Sequence, residues 1–249
     1  MKSLARTIGV FTVVIVTVVI VSSAGAVLFL FSLIGFKKSM SFAMYKVAQM
    51  WAKLLIAVTG CRLTVKGREH IPDRGGVCFV SNHGSIFDIL LILAYAGRPF
   101  GFMAKKELIW LPLINMWIAL LGGFFLDRKN LRKALGTINK GVQNIQKGGA
   151  MIIFPEGRRS RGQGLLPFKA GAFKLATQSN AVIVPVAIAG SYDIFEKMGR
   201  IQTVSVGLVF ASPIAVADIP REDRKQHLAD RVHAVIADAL PRDFSQRAP

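Results

Sequence analysis

The 249-residue chain has few of the residues that build metal and disulfide sites. Two cysteines, Cys61 and Cys78, stand in no metal-ligand spacing and are too few for a disulfide framework, so nothing requires an oxidising compartment. Tight metal-ligand spacing is also missing among the four histidines, which are His70, His83, His227 and His233. We therefore expect no bound metal.

Acidic residues are also scarce, with 14 Asp and Glu against 32 Lys and Arg and a net charge of +18. Such a balance predicts an anionic partner. The sequence lacks zinc-finger spacing, an RNP-like aromatic motif and a long basic helix, which argues against nucleic acid. Because 52% of the residues are hydrophobic, we expect an anionic membrane surface instead.

An uncharged apolar run of 29 residues extends from Ile8 to Phe36. A membrane-spanning helix needs about 20 such residues, whereas the apolar core of a signal peptide has about 7–15. The run therefore predicts a membrane-associated helix, either a tilted span or a hairpin that re-enters the same leaflet. The small residues Ser22–Gly25 in its middle indicate a packing face or a break.

A second, amphipathic helix is expected over residues 38–58, where apolar residues recur at helical spacing. It would either lie in the membrane interface, with Lys46 and Lys53 towards the head groups, or pack on the following domain. Lysines are more numerous after the apolar run than before it, which favours placing the following domain on the cytoplasmic side of the cell membrane, the inner membrane in a bacterium. We divide the chain into N-terminal membrane-anchoring helices, residues 1–60, and an α/β domain, residues 61–249.

Short β-like runs alternate with helical patterns after Arg62. This alternation predicts an α/β fold in which helices flank a mixed, largely parallel sheet. The clearest helix spans Leu131 to Ile145. The predicted strands are Leu63–Val65, Val77–Val80, Phe100–Ala104, Phe124–Leu126, Met151–Phe154, Val182–Ile188 and Val204–Phe210.

The stretch SNHGSIFD, from Ser81 to Asp88, follows a predicted strand and carries a histidine five residues before an aspartate. On one continuous helix, side chains five apart point about 140° away from each other. His83 and Asp88 can therefore pair if His83 lies in the turn and Asp88 lies on the first turn of the next helix. A histidine oriented by a carboxylate is suited to act as a general base. The alternative is a capping box that begins at Ser85.

Three further turns combine glycine with basic residues: Gly122–Arg128, Phe154–Arg161 and Pro167–Lys174. Sites in α/β folds collect beyond the carboxyl ends of the strands, so we expect these turns to lie near His83. Arginine binds phosphate through two N–H groups, and helix N-termini add backbone donors. Together the turns predict a phosphate-binding site beside a general base, although each alone could be a solvated surface.

In their order, these motifs resemble the glycerolipid acyltransferase family, which includes the 1-acylglycerol-3-phosphate acyltransferases. The resemblance covers about residues 62–209. It rests on Asn82-His83 with Asp88, on Gly122–Arg128, on Phe154–Ser160 and on Ile183–Val186. One residue departs from the pattern: Arg158 stands where the family usually has Thr, which leaves Arg159 as the family arginine.

The resemblance implies that residues 61–249 form an acyltransferase domain. His83 would take the proton from the hydroxyl of lysophosphatidate, and Asp88 would orient the imidazole. The hydroxyl would then attack the thioester of an acyl-CoA or an acyl carrier protein, giving phosphatidate. The acyl donor is a substrate, and no cofactor is expected.

Five further residues receive binding roles on this view. Arg128 and Arg159 would hold the acceptor phosphate. Glu156 would bind the acceptor or brace the arginines, and Gly157 would let the backbone approach it. Lys105 is the candidate donor to the thioester oxyanion, with an ordinary surface lysine as the alternative.

Several alternatives stay open from the sequence. The acceptor could be glycerol 3-phosphate, another lysophospholipid or a lyso-ornithine lipid. A non-catalytic membrane protein that binds anionic lipid is a different class, but it needs no oriented base. A hydrolase would use water, and the sequence has no G-x-S-x-G motif. The apolar run Ile109–Leu121 would either line the acyl-chain channel or form a buried core helix.

Overall fold

The computed structural model of the protein describes residues 2–33, 37–127 and 129–241. Within these residues one sheet has eight strands: β1 (Arg62–Lys66), β2 (Val77–Ser81), β3 (Gly101–Lys105), β4 (Phe124–Leu126), β5 (Ala150–Ile153), β6 (Val182–Ala189), β7 (Ser205–Phe210) and β8 (Ile214–Ala215). The same residues form the helices α1 (Lys2–Leu33), α2 (Lys37–Thr59), α3 (Phe87–Tyr95), α4 (Ile114–Leu120), α5 (Leu131–Gln146), α6 (Lys174–Ser179) and α7 (Gln226–Ala239).

The sheet is mixed and largely parallel, which confirms the predicted fold class. Its strand order is β1-β7-β6-β2-β5-β3-β4, with β8 beside β6. Strands β6, β2, β5, β3 and β4 run parallel to one another, whereas β7 and β8 are antiparallel to β6. Each of the seven predicted strands is present. The two-residue strand β8 was not predicted, because so short a segment has no readable alternation.

The central strand β2 is buried on both faces, as its continuous apolar sequence requires. Val77 and Phe79 belong to a core shared with α2 and α3. Cys78 and Val80 belong to the opposite core, shared with α5, α6 and α7. The sheet is therefore covered by helices on both faces. The candidate site lies at the carboxyl ends of the strands, which these helices do not cover.

The first helix, α1, is continuous through Ser22–Gly25, so the structure shows no break there. The helix begins at Lys2, six residues before the predicted start, and residues 34–36 at the end of the predicted run lie outside the described residues. The segment Leu4–Val27 is long and apolar enough to cross a membrane. The small residues instead form a packing face, where Ser22 and Gly25 receive Trp117 of α4.

The second helix, α2, packs on the α/β domain. Tyr45, Ala48, Ala52 and Ile56 are buried in the core that also contains α3, which corresponds to the second of the two predicted arrangements. Trp51 of α2 also donates a hydrogen bond to the hydroxyl of Thr17 in α1, over 2.9 Å. The two N-terminal helices are therefore packed against each other and against the domain.

Candidate active site

His83 and Asp88 are brought together at the carboxyl end of β2. His83 lies in the turn after the strand, and Asp88 lies in the first turn of α3. The Nδ1 atom of His83 is 2.8 Å from Oδ2 of Asp88. The same oxygen accepts the backbone N–H groups of Gly84 (2.7 Å) and Ser85 (2.9 Å). These donors compensate the buried carboxylate and fix its position.

The imidazole of His83 is held on a second side by an aromatic ring. Its ring stacks on Phe154 at the end of β5, with the centroids 4.1 Å apart and an interplanar angle of 22°. The side chain is 23% exposed, and Nε2 makes no hydrogen bond to the described part of the chain. With Nδ1–H directed to Asp88, the lone pair of Nε2 is left available to accept a proton.

The side chain of Asn82, the residue before His83, joins the end of β2 to β6. Its side chain donates to the carbonyl of Ile188 and accepts the N–H of the same residue, both over 2.8 Å. The buried amide thus replaces a backbone pairing to β6 where β2 ends. This contact determines where the chain leaves the sheet and, with it, the position of His83.

The turn that carries His83 is clamped through its own backbone. The backbone N–H of His83 donates to Oε1 of Glu156 over 2.9 Å, and the backbone carbonyl of His83 accepts the N–H of Ser160 over 2.7 Å. Glu156 is only 3% exposed. Burial raises the pKa of the Glu156 carboxyl to about 8, and the negative charge of the nearby Asp88 also raises it. Backbone N–H donors, including that of His83, lower this pKa. Glu156 is therefore placed to position the turn.

Gly157 has a positive φ of 75°, which disfavours other residues at this position. A Cβ atom there would lie 3.1 Å from Nζ of Lys169, an exposed lysine in the loop before α6. Glycine therefore keeps the backbone open next to a cationic group.

Arg159 is held by an acid that the sequence did not indicate. Its Nη1 donates to Oε1 of Glu196 over 2.6 Å. Glu196 also accepts hydrogen bonds from the hydroxyl of Ser85 and from the N–H of Ile86. Glu196 follows β6 by seven residues and belongs to none of the motifs, so no spacing pointed to it. The neighbouring Arg158 is exposed, and Nη2 is 3.5 Å from Gln163.

Ser85 does not cap α3 in the predicted way. Ile86 occupies the N-cap position, and the Ser85 hydroxyl accepts the N–H of Phe87 over 3.1 Å. The other half of that capping box is present, because Oδ2 of Asp88 accepts the N–H of Ser85, and the same oxygen holds His83.

Lys105, another predicted site residue, lies at the β3–β4 side of the sheet. Lys105 ends β3 with an exposed side chain, 3.7 Å from Glu107. Lys106 pairs with Asp127 over 2.9 Å, and their hydrogen bond lowers the pKa of the Asp127 carboxyl and raises that of Lys106. Arg128 lies outside the described residues. The structure shows no contact between Lys105 and the His83–Asp88 pair within the described residues.

These observations describe an α/β protein with an oriented histidine and basic side chains at the carboxyl ends of its parallel strands. The chain belongs to the acyltransferase family, whose model matches residues 62–189 and so includes both His83 and Glu156.

This chain is similar to relatives with a stated activity. It is 32% identical to a 1-acyl-sn-glycerol-3-phosphate acyltransferase of Cocos nucifera, over 76% of this chain and 61% of that protein. It is 31% identical to the Saccharomyces cerevisiae protein of the same name, over 80% of this chain and 66% of that protein. The aligned region thus spans less than two thirds of these relatives.

The crystal structure of the 1-acyl-sn-glycerophosphate (LPA) acyltransferase PlsC from Thermotoga maritima has the same fold. Its TM-score is 0.82 at 24% identity, covering 96% of this chain and 94% of that one.

Proposed function

We propose that the protein transfers a fatty acyl group from acyl-CoA or acyl carrier protein to the sn-2 hydroxyl of lysophosphatidate, giving phosphatidate for phospholipid biosynthesis. The observation that carries the proposal is the 2.8 Å contact of His83 with Asp88, which leaves Nε2 without a partner in the described part of the chain. The names of the Cocos nucifera and Saccharomyces cerevisiae relatives support the choice of acceptor.

In the proposed reaction, Nε2 of His83 takes the proton of the acceptor hydroxyl as its oxygen attacks the thioester carbonyl carbon. Asp88 holds the imidazole and stabilises the imidazolium that forms. The tetrahedral intermediate then expels the thiolate, which His83 protonates, so an ester replaces the thioester. The substrate hydroxyl is the nucleophile, so the scheme requires neither a covalent acyl-enzyme nor a cofactor.

Binding of the acceptor phosphate is assigned to Arg159, together with Arg128. Arg159 is partly exposed even though one of its nitrogens is engaged by Glu196, so other N–H groups are left for a phosphate. Gly157 keeps the approach open beside Lys169. Glu156 contributes by positioning the turn of His83. Lys105, which is 63% exposed, is proposed to reach the thioester oxyanion.

The acceptor and the product are both lipids, and we propose that the protein takes and returns them at an anionic membrane surface. The apolar segment Leu4–Val27 of α1 and the net charge of +18 support this location. The basic surface also suits either acidic acyl donor. The proposed location of the protein is the cell membrane, which is the inner membrane in a bacterium, with the α/β domain on the cytoplasmic side.

The test measures labelled acyl transfer from each donor to lysophosphatidate, glycerol 3-phosphate, lysophosphatidylethanolamine, lyso-ornithine lipid and water. We compare the wild type with His83→Ala and with His227→Ala, whose side chain is 79% exposed on α7. Transfer to lysophosphatidate that is lost only in His83→Ala supports the proposal. Preference for another acceptor overturns the assigned substrate while retaining the base, and binding of anionic lipid without any transfer overturns the enzymatic function.

A further inference from the structure

Six consecutive residues that follow β3 and end at the first residue of α4 are apolar and exposed. This apolar loop is Ile109–Ile114, with the sequence Ile-Trp-Leu-Pro-Leu-Ile. Trp110 is 83% exposed, and Leu111 is 45% exposed. A run of this kind in contact with water is unfavourable and marks a surface that is covered in use. It also differs from Trp117, Ile118 and Leu121 later in the same run, which pack against the core.

The backbone of the apolar loop is largely satisfied by its own hydrogen bonds. Leu111 donates to the carbonyl of Leu108 over 3.2 Å, Ile114 donates to Pro112 over 2.8 Å, and the side chain of Asn115 donates to Ile109 over 2.7 Å. Pro112 has no N–H to satisfy. Internal pairing of this kind is what a segment needs to enter lipid, where water cannot compensate free backbone groups.

The tip of the apolar loop has an unusual conformation. Leu113 has a φ of 66° and a ψ of −47°, which with the Ile114-to-Pro112 hydrogen bond forms a strained γ-turn. Such a conformation is unfavourable for a non-glycine residue and persists where the surroundings enforce it. The loop is thus a defined structure, with its shape held by the turn and by α4.

The apolar loop is connected to α1 through the helix α4. The helix α4, which begins within the loop, packs on α1: the indole N–H of Trp117 donates to the Ser22 hydroxyl over 3.1 Å, and its ring lies against Gly25. The same half of α1 leaves a stripe of large apolar side chains exposed, namely Val19, Ile20, Val27 and Leu30. Lys105 and Lys106 lie four and three residues before the loop, and they add partly exposed cationic groups suited to anionic head groups beside their acidic neighbours Glu107 and Asp127.

We infer that the apolar loop inserts into the lipid bilayer as a second contact beside α1, with Trp110 at the interface. Trp is the residue enriched at that depth, because its ring is apolar and its N–H is polar. The loop follows the carboxyl end of β3, which runs parallel to β5 and β2, so it lies at the sheet edge from which His83 emerges. Insertion therefore sets the His83 edge against the membrane. This inference rests on the proposed membrane association.

The first test measures insertion directly in the full-length protein. Vesicles of phosphatidylglycerol and phosphatidylethanolamine carry bromine on their acyl chains, which quenches nearby tryptophan fluorescence. We compare the wild type with Trp110→Phe, which retains Trp51 and Trp117. A quenched component that is present in the wild type and missing in Trp110→Phe supports insertion, and it does so whatever reaction the protein catalyses. Identical quenching in the two proteins overturns the inference.

The second test uses Leu111→Asp, with Leu135→Asp on α5 as the matched control. Leu135 is 39% exposed but lies on the opposite face of the sheet. We expect Leu111→Asp to weaken vesicle binding by roughly tenfold and to raise the KM for vesicle-embedded lysophosphatidate. Its KM for a short-chain, water-soluble lysophosphatidate stays unchanged. Equal effects of the two variants, or an equal loss with the soluble acceptor, contradict a role in membrane contact.

Discussion

Arg159 donates to Glu196 over 2.6 Å, and the same carboxylate accepts hydrogen bonds at Ser85 and Ile86. One side chain thus joins the arginine proposed to bind phosphate to the start of α3, the helix that carries Asp88. Glu196 thus supports both the proposed phosphate-binding residue, Arg159, and the helix start beside the His83–Asp88 pair. From this geometry we expect Glu196 to be a positioning residue that acts through Arg159 and through the turn of His83.

Replacing Glu196 by Ala is expected to raise the KM for the acceptor more than it lowers kcat, with kcat/KM falling by about 10–100-fold. The order of magnitude is that of removing a group that orients a ligand-binding residue. Glu196→Gln, which retains an acceptor for Ser85, should recover part of the loss. Steady-state kinetics over a range of acceptor concentrations measures both parameters.

The matched control is Lys197→Ala, which removes an exposed lysine that pairs with Asp193 over 3.1 Å. Such surface pairs contribute about 0–1 kcal/mol, so both kinetic parameters should stay near those of the wild type. If Glu196→Ala has the same kinetics as Lys197→Ala, Glu196 has no positioning role.

Asp88→Asn is expected to lower kcat by about 10³–10⁴-fold while the protein remains folded. The amide oxygen of asparagine can take the place of Oδ2, but it carries no charge to stabilise the imidazolium of His83. The amide NH2 would occupy the position of Oδ1, which is buried and has no hydrogen-bond partner in the described part of the chain. Activity assays with circular dichroism on the same samples test this. Asp73→Asn, at an exposed position, is the control. A folded Asp88→Asn variant with near-normal kcat would remove Asp88 from the mechanism.

Glu156→Gln is expected to change how stability depends on pH. The folded-state pKa of Glu156, about 8, is above its ordinary value of 4.5, so the folded protein binds more protons than the unfolded chain between these values. Stability contributed by this group therefore decreases as pH rises through that window, by at most about 1.4 kcal/mol per pH unit.

Urea denaturation between pH 5 and pH 8 measures the effect of Glu156→Gln. The variant should lose less stability with rising pH than the wild type, because glutamine does not titrate and still accepts the N–H of His83. Glu222→Gln, at an exposed position, should leave the slope unchanged. Equal slopes for wild type and Glu156→Gln would mean that the carboxyl titrates alike in both states.

Two glycines of α1 offer a matched pair for its packing. A Cβ at Gly25 would lie 2.9 Å from the ring of Trp117, whereas a Cβ at Gly9 meets nothing within 4 Å. Alanine is favoured over glycine inside a helix by about 1 kcal/mol, so Gly9→Ala should be neutral or stabilising. Gly25→Ala should instead lower the melting temperature in detergent, since the α1–α4 contact must open. A higher melting temperature for Gly25→Ala than for Gly9→Ala would contradict this packing.

The sequence by itself determined the fold class and the first motif. Alternation of short apolar runs with helical patterns reports local periodicity, and local periodicity is sufficient to predict strands such as Val77–Val80 and the helix from Leu131 to Ile145. The five-residue interval between His83 and Asp88 constrained their pairing just as locally, because few backbone paths join them. The long uncharged run likewise marked α1 before any contact was known.

Only the tertiary structure decided which partners meet across the fold. Glu196 reaches Arg159 and Ser85 because β6 lies beside β2. No local sequence pattern predicts the order of the strands in the sheet. The same holds for Trp117, which packs on Gly25 of α1, and for α2, whose apolar face suited a membrane and a core equally well. The sequence also did not predict that the apolar loop is exposed. Hydrophobic residues indicate a segment that is shielded from water, but they do not distinguish shielding by protein from shielding by lipid.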